Sequence, residues 1–339
     1  MAVHRRIPIS SCHATVLVDL CGFAGSAVIG EIMAHRAAPI QLSLLGFPGS
    51  LGGASYIDYL VADTTVVPPH LRPLYPDSFL FMPDSYFPNS HRVAVPDAIG
   101  SFRRSREELR QYYGLPTKGF VFCCHNRPSK FDPVTFRCWL RALQRSRQLD
   151  PSAVLWLLTS GPTCVANLKR FAEQEGVPEE ALVFCDIVDR PQHLERLPCA
   201  DLFLDTPCYN AHTVGCDALY AGLPIVTLLR NDGSEDEESS EPADIATNKW
   251  ASRVGASLLK AAGLPNDFVC PSMKDYEDCM VRCVQDPSWF RGIQEQLLRS
   301  RSQSRLFDTQ RWVENFELGL QYLVSTEVRG DVVIENDLE

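Results

Sequence analysis

DTPCYNAHTVGCD, residues 205–217, is the stretch around which the rest of the chain is read. Residues 200–205 (ADLFLD) before it form an apolar run of strand length, and residues 217–222 (DALYAG) after it read as a helix that stops at Gly-Leu-Pro. A strand that ends in a polar loop and then opens a helix is the anion-binding arrangement of α/β proteins. The first helical N–H groups lack partners there, and the helix dipole favours negative charge. His212 and Thr213 stand at that opening. Asp217 lies one turn further in, where a carboxylate can accept hydrogen bonds from sugar hydroxyls. The same pattern also fits an ordinary strand–loop–helix turn with a capping threonine and a solvated aspartate, so the flanking chain has to decide.

Upstream, residues 15–20 (TVLVDL) read as a buried strand, 27–35 as a helix, 38–45 (APIQLSLL) as a second strand and 57–61 as a third. A glycine-rich turn occupies 46–53, and the proline-rich stretch 68–96 reads as irregular. A helix at 105–113 leads into a fresh strand at 120–124 (FVFCC). Then follow a polar loop at 126–130, a helix from 132 to 149, a strand at 153–158 (AVLWLL), a helix at 165–175, a strand at 182–185 and a short helix at 191–197. Beyond the opening stretch come a strand at 224–229 and helices at 251–262, 276–285 and 308–323. The last carries Trp312, Phe316, Leu320 and Leu323 at helical spacing, as core packing would require. Strand–helix alternation on this scale predicts parallel sheets covered by helices. Residues 231–244 (NDGSEDEESSEPAD) are acidic and of low complexity, and are expected to be a disordered surface loop.

The chain has 339 residues, 45% of them hydrophobic and 22% charged, enough for two domains with a core each. A formal net charge of -10 argues against non-specific binding of nucleic acid, while leaving room for a local basic pocket. No apolar run reaches the roughly 20 residues of a membrane span, and no apolar signal core follows the N-terminus. The expectation is a soluble protein with neither nucleic acid nor membrane as partner. Thirteen cysteines without a CxxC pair point to reduced, mostly buried thiols of an intracellular protein. Cys279 and Cys283 are spaced to share one helix face.

In the second half, cationic and polar residues follow three of the strands: Arg127 and Lys130 the first, Arg190, His193 and Arg196 the third, His212 and Thr213 the fourth. Ligands of open α/β sheets sit beyond the carboxyl ends of the strands, so these loops are placed to converge on one crevice. Cations, a helix N-terminus and a carboxylate together suit a nucleoside diphosphate-sugar. There is no Walker A motif, no GxGxxG after a strand, no HExxH and no GxSxG. No Asp-x-Asp offers a metal site in a sugar-binding loop, so the helix dipole and the cations are expected to hold a diphosphate without metal.

Residues 204–217 (LDTPCYNAHTVGCD) with 221–227 (AGLPIVT) resemble the nucleotide-sugar loop of protein O-linked N-acetylglucosamine (O-GlcNAc) transferases. The resemblance extends over 36–49 (RAAPIQLSLLGFPG), 58–63 (DYLVAD), 82–83, 126–133, 154–158 (VLWLL), 251–254 (ASRV) and 306–307, in the order that the family has them. The related SPINDLY-type O-fucosyltransferases have a threonine-rich loop without the His-Thr found here.

This resemblance implies an α/β GT-B glycosyltransferase fold of two Rossmann-like lobes, the N-terminal one incomplete. The expected division is 1–115, a partial N-terminal lobe; 116–326, a C-terminal UDP-sugar lobe; and 327–339, a tail. It implies a glycosyltransferase for inverting, metal-independent transfer of N-acetylglucosamine from UDP-GlcNAc to Ser or Thr hydroxyls of cytoplasmic or nuclear proteins, with no cofactor. The alternatives are an inactive nucleotide-sugar-binding paralogue or fragment, and a protein O-fucosyltransferase. Carried over by position, Lys130 would stabilise the leaving diphosphate. Val188, Asp189 and Arg190 would frame the uracil, and His193 and Arg196 would border base and ribose. His212, Thr213 and Val214 would hold the diphosphate, Asp217 would bind the ribose, and Leu45 and Gly46 would line the sugar side. Arg127 stands where the family usually has Gln, Arg190 where it has Lys, and Val214 where it has Thr. The segment with the family's catalytic His has no counterpart, and His13 and His35 do not match it.

Overall fold

The computed structural model describes residues 13–25, 27–94, 104–230, 247–326 and 330–335. The acidic stretch 231–244 lies outside them. The chain divides into two compact units, Met1–Pro88 with Gln310–Glu339, and Asn89–Thr309.

The first unit holds strands β1 (Val16–Asp19), β2 (Ile40–Ser43), β3 (Tyr59–Asp63) and β4 (Phe79–Met82). With the C-terminal strand Val332–Val333 they form one parallel sheet in sequential order, the C-terminal strand pairing β4. Every residue of β3 and β4 is buried, as expected of parallel strands covered on both faces. The sequence reading misses β4, because flanking prolines mask a run of only four residues. Helix α1 (Ala27–Ala34) matches its expected place. The turn after β2 holds Leu45 at φ +70°, and a Cβ on Gly46 would lie 2.2 Å from the Leu20 carbonyl oxygen. Only glycine fits there.

The expected tail belongs to this unit. Arg72 Nη2 meets Asp331 Oδ1 at 2.8 Å, and that oxygen also accepts from Phe79 N at 3.0 Å. The C-terminal helix Thr309–Ser325 buries Asn315, Gly319 and Leu323. The expected stripe is therefore rotated: Trp312, Phe316 and Leu320 are only half-buried. A Cβ on Gly319 would lie 2.9 Å from Leu80 Cδ1, so the missing side chain is what lets the helix close on β4.

The second unit contains β5 (Val121–Cys124), β6 (Val154–Leu158), β7 (Leu182–Cys185), β8 (Leu202–Leu204), β9 (Ile225–Leu228) and β10 (Val269–Cys270). They form a parallel sheet in the order β10-β9-β8-β5-β6-β7. Its helices are α2 (His91–Ala94), α3 (Arg106–Tyr112), α4 (Pro133–Leu149), α5 (Pro162–Gln174), α6 (Arg190–Arg196), α7 (Thr213–Tyr220), α8 (Val254–Ala262), α9 (Met273–Gln285) and α10 (Pro287–Ser300). The sequence reading misses α2 and α10. Asp132, Asp189, Ser272 and Asp286 cap α4, α6, α9 and α10 through their side chains. The described cysteines are free thiols, with Cys279 and Cys283 buried on α9.

The unit begins at residue 89 rather than at the expected 116. Helix α3 is clamped to the second sheet: buried Arg110 donates to the Cys199 carbonyl at 2.8 Å and to Asp201 Oδ2 at 2.7 Å, and Val121 N donates to that same carboxylate oxygen at 2.8 Å.

Strand order reverses between β5 and β8, which makes their carboxyl ends the topological switch point where ligands of open α/β sheets bind. The loop leaving β8 closes on the buried Asp205. Its Oδ1 accepts from Thr206 N at 2.9 Å and Ala211 N at 2.7 Å, and its Oδ2 accepts from Thr227 Oγ1 at 2.7 Å. Helix α8 packs against this carboxylate through Gly255, where a Cβ would lie 2.2 Å from Asp205 Oδ2 and 2.5 Å from Thr227 Oγ1. Gly255→Ala therefore overpacks the anchor and is expected to cost about 1–3 kcal/mol of stability. Urea unfolding measures it, and an unchanged midpoint would show that the loop does not depend on this close approach.

Candidate functional site

The loops leaving β5 and β8 are tied to each other side by side. Asn126 Nδ2 donates to Thr206 Oγ1 at 2.8 Å, and Thr206 Oγ1 donates to the Tyr209 carbonyl at 2.6 Å. Buried Asn210 donates from Nδ2 to the Thr206 carbonyl at 3.1 Å and accepts at Oδ1 from Gly255 N at 2.9 Å. Lys130 spans the gap: its Nζ donates to the Asn210 carbonyl at 3.0 Å and lies 4.2 Å from the centre of the Tyr209 ring. His212 is the N-cap residue of α7, its Nδ1 2.9 Å from the Asn210 carbonyl. One side chain of the β5 loop and the entry to α7 thus share a single backbone carbonyl.

Above these loops opens a cavity of about 440 Å³. Nine of the residues expected from sequence line it: Arg127, Lys130, Val188, Arg190, His193, Arg196, Thr213, Val214 and Asp217. Asp189 does not; it caps α6 by accepting from Gln192 N at 3.0 Å. His212 does not line it either; it stands at the N-cap of α7, half-buried. Leu45 and Gly46 belong to the other unit.

Four lining residues were not among the expected site residues: His125, Asn126, Leu158 and Ile187. The strand-end rule was the available signal, since His125 directly follows β5 and Leu158 closes β6. Behind the cavity, His91 places Nε2 2.6 Å from Asp217 Oδ1. No sequence signal marked His91, which sits in the stretch read as irregular.

Burial lowers the Lys130 ammonium's affinity for its proton, and Asp205 partly restores it. Burial, together with Arg196, pushes His193 down to about 4. The Arg196 guanidinium lies 3.4 Å from His193 Nδ1, which makes that nitrogen the acceptor and leaves the proton on Nε2, 3.9 Å from Asp217 Oδ2. His212 is likewise pushed down to about 4 by burial, with Lys130 adding to the effect and the Asn210 carbonyl opposing it. Asp205 goes the other way, up to about 6, because burial outweighs its three hydrogen bonds.

These shifts fix the sign of a pH dependence. A histidine depressed from 6.5 to about 4 contributes stability that is present above pH 6.5 and lost as pH falls toward 4. Asp205, raised from 3.8 to about 6, contributes stability present below 3.8 and lost as pH rises through about 6, so it partly offsets the histidines. Burial shifts the cavity-lining His125 downward as well, so three histidines against one carboxylate leave a net loss on acidification. The melting temperature is expected to fall between pH 6.5 and pH 4.5, and to fall less in His212→Gln. Equal slopes in the two proteins would mean that His212 does not titrate with folding.

The family model for glycosyl transferase family 41 matches residues 5–101 and 105–316. A probable UDP-N-acetylglucosamine–peptide N-acetylglucosaminyltransferase SEC from Arabidopsis thaliana is 33% identical over 329 residues, covering 96% of this chain and 31% of that protein. A probable UDP-N-acetylglucosamine–peptide N-acetylglucosaminyltransferase SPINDLY from Solanum lycopersicum is 26% identical over 312 residues, 89% of this chain and 29% of that protein. Among solved structures, a point mutant of the Thermobaculum terrenum O-GlcNAc transferase superposes with a TM-score of 0.73 at 26% identity, over 94% of this chain and 55% of that one. The chain spans about a third of the length of these curated relatives. Two parallel sheets covered by helices are the α/β architecture of GT-B glycosyltransferases, and the chain belongs to glycosyl transferase family 41.

Proposed function

We propose that the unit Asn89–Thr309 binds UDP-N-acetylglucosamine and serves the transfer of its sugar to Ser or Thr hydroxyls of proteins in the cytoplasm or nucleus. The observation that carries this reading is the joined pair of loops at the switch point, where Lys130, Arg127 and the opening of α7 face one cavity. The names of the relatives agree with it.

In this reading the acceptor hydroxyl oxygen bonds to the anomeric carbon from the face opposite the diphosphate. The carbon–oxygen bond to the diphosphate breaks, the configuration inverts, and UDP leaves with the bonding electron pair. The added charge falls on phosphate oxygens, where the free N–H groups of Thr213 and Val214 and the Lys130 ammonium are placed to receive it. Lys130, held off bulk water between Asn210 and Tyr209, acts at short range, and no metal is required. The hydroxyl proton is released to solvent water, so acceptor and donor become glycoside, UDP and a proton. Val188 and the exposed Ile187 would flank the base, and Asp217 a ribose hydroxyl.

Calorimetric titration distinguishes donors: UDP is expected to bind more tightly than GDP, and the reverse order would reject the assignment. A charge-assisted contact of about 1.5–3 kcal/mol gives Lys130→Ala a roughly tenfold to hundredfold weaker UDP affinity. An unchanged affinity would leave Lys130 as a structural tie to Asn210. EDTA is expected to alter neither UDP binding nor transfer of labelled sugar to a Ser/Thr peptide by a protein that carries this chain; transfer abolished by EDTA would refute leaving-group stabilisation by the helix and the lysine.

A further inference from the structure

Asp217 is a carboxylate on a buried helix, and its immediate partner is His91, with side-chain exposures of 5% and 1%. The ring of His91 is wedged against Tyr220 and Phe307, with centroids at 5.3 and 5.7 Å. Its protonation can be followed through the hydrogen bonds. Asn89 Nδ2 donates to the Leu306 carbonyl at 2.6 Å, which fixes that amide's orientation and turns Oδ1 toward His91. His91 Nδ1, 3.1 Å from Asn89 Oδ1, must therefore be a donor. A ring protonated only there would set a bare Nε2 lone pair against Asp217 Oδ1 at 2.6 Å. A hydrogen bond of that length needs a proton between them, and Arg190 Nη2 completes the cluster at 3.3 Å from Nε2 and 3.4 Å from Oδ1, so the carboxylate is buried with partners. Burying both groups is tolerable for that reason, since an unpaired buried carboxylate is strongly disfavoured.

The two oxygens of Asp217 thereby take different roles. Oδ1 is occupied by His91, with Arg190 Nη2 3.4 Å away. Oδ2 lies nearest His193, another residue of the cavity wall, with Nε2 at 3.9 Å, beyond hydrogen-bond reach.

We infer that His91 is a positioning residue for nucleotide recognition: it holds Asp217 through Oδ1 so that Oδ2 serves as the acceptor for a hydroxyl of the nucleotide's ribose. This deepens the UDP-sugar reading and rests on it. His91 touches no ligand itself. Without it, Asp217 retains only the partly solvated Arg190 as a close partner, which frees the side chain to rotate and loses the fixed direction of Oδ2.

The test compares UDP with 2′,3′-dideoxy-UDP by calorimetry, so that diphosphate and base contacts cancel. The wild-type protein is expected to prefer UDP by about tenfold to hundredfold, the worth of a hydrogen bond to a charged group. His91→Phe keeps an aromatic ring against Tyr220 and Phe307 but removes both donors, and is expected to bind the two nucleotides within about twofold of each other. His91→Gln retains one donor and should keep an intermediate preference, and Asp217→Asn should lose the preference with His91 in place. If His91→Phe does not fold by circular dichroism, His91→Gln decides: a preference equal to that of the wild type overturns the inference. It is also overturned if His91→Phe folds and weakens both nucleotides equally, the mark of a purely packing role. A wild-type protein that binds UDP without preferring it to the dideoxy analogue overturns the roles of Asp217 and His91 but not the UDP reading. A wild-type protein that fails to bind UDP overturns both.

Discussion

The Asp205 carboxylate closes the loop leaving β8 by accepting from Thr206 N, Ala211 N and Thr227 Oγ1, and burial pushes its acidity up to about 6 despite these bonds. The loop's shape follows from this closure. Its two backbone donors belong to residues 206 and 211, so residues 207–210 are folded out as a bight. The third donor lies on β9 and fixes the bight to the sheet. Thr206 and Asn210, thus positioned, receive Asn126 and Lys130 from the loop of β5. Tyr276 adds a fourth tie, its hydroxyl donating to the Asp205 carbonyl at 2.9 Å. Helix α7 can open toward the cavity only because everything before Thr213 is held in this way.

A large part of this was legible in the primary structure, for physical reasons that also explain what was not. Parallel strands buried on both faces are continuous apolar runs, so VFCC and VLWLL announced themselves and their ends located the loops of Arg127 and Lys130. Four residues of FLFM between prolines carry no such periodicity, and β4 was lost. The start of α7 at Thr213 was visible in the strand–loop–helix pattern, but which residues would face the cavity was not. Asp189 looks like a ligand residue in the sequence, yet its side chain caps α6. Capping and ligand binding recruit similar side chains at similar places, and only the backbone torsions separate them.

His91 illustrates a different limit. Its pairing with Asp217 spans 126 residues, and the helix that carries it is one turn long. Neither hydrophobic period nor cap motif encodes a contact of that kind. The C-terminal helix shows the converse. Its apolar stripe was plain, but the buried face turned toward Asn315 and Gly319, because a missing side chain permits closer approach to Leu80 than an aromatic one does.

The chain's charge and the cavity's charge point in opposite directions, and the range of the forces decides between them. A net charge of -10 would repel a nucleoside diphosphate-sugar at long range. At physiological ionic strength, however, exposed charges separated by more than about 8 Å are largely screened. Inside the cavity, Arg127, Lys130, Arg190 and Arg196 line one space with a single carboxylate, Asp217, which is already paired with His91. At contact distances the half-buried Lys130 and the buried Arg196 act with less attenuation than the exposed Arg127 and Arg190. The acidic surface then has little effect on equilibrium binding, and the local cations with the N-terminus of α7 determine which anion is held. The one acidic wall residue, Asp217, is turned to partners of its own, His91 and Arg190, on Oδ1.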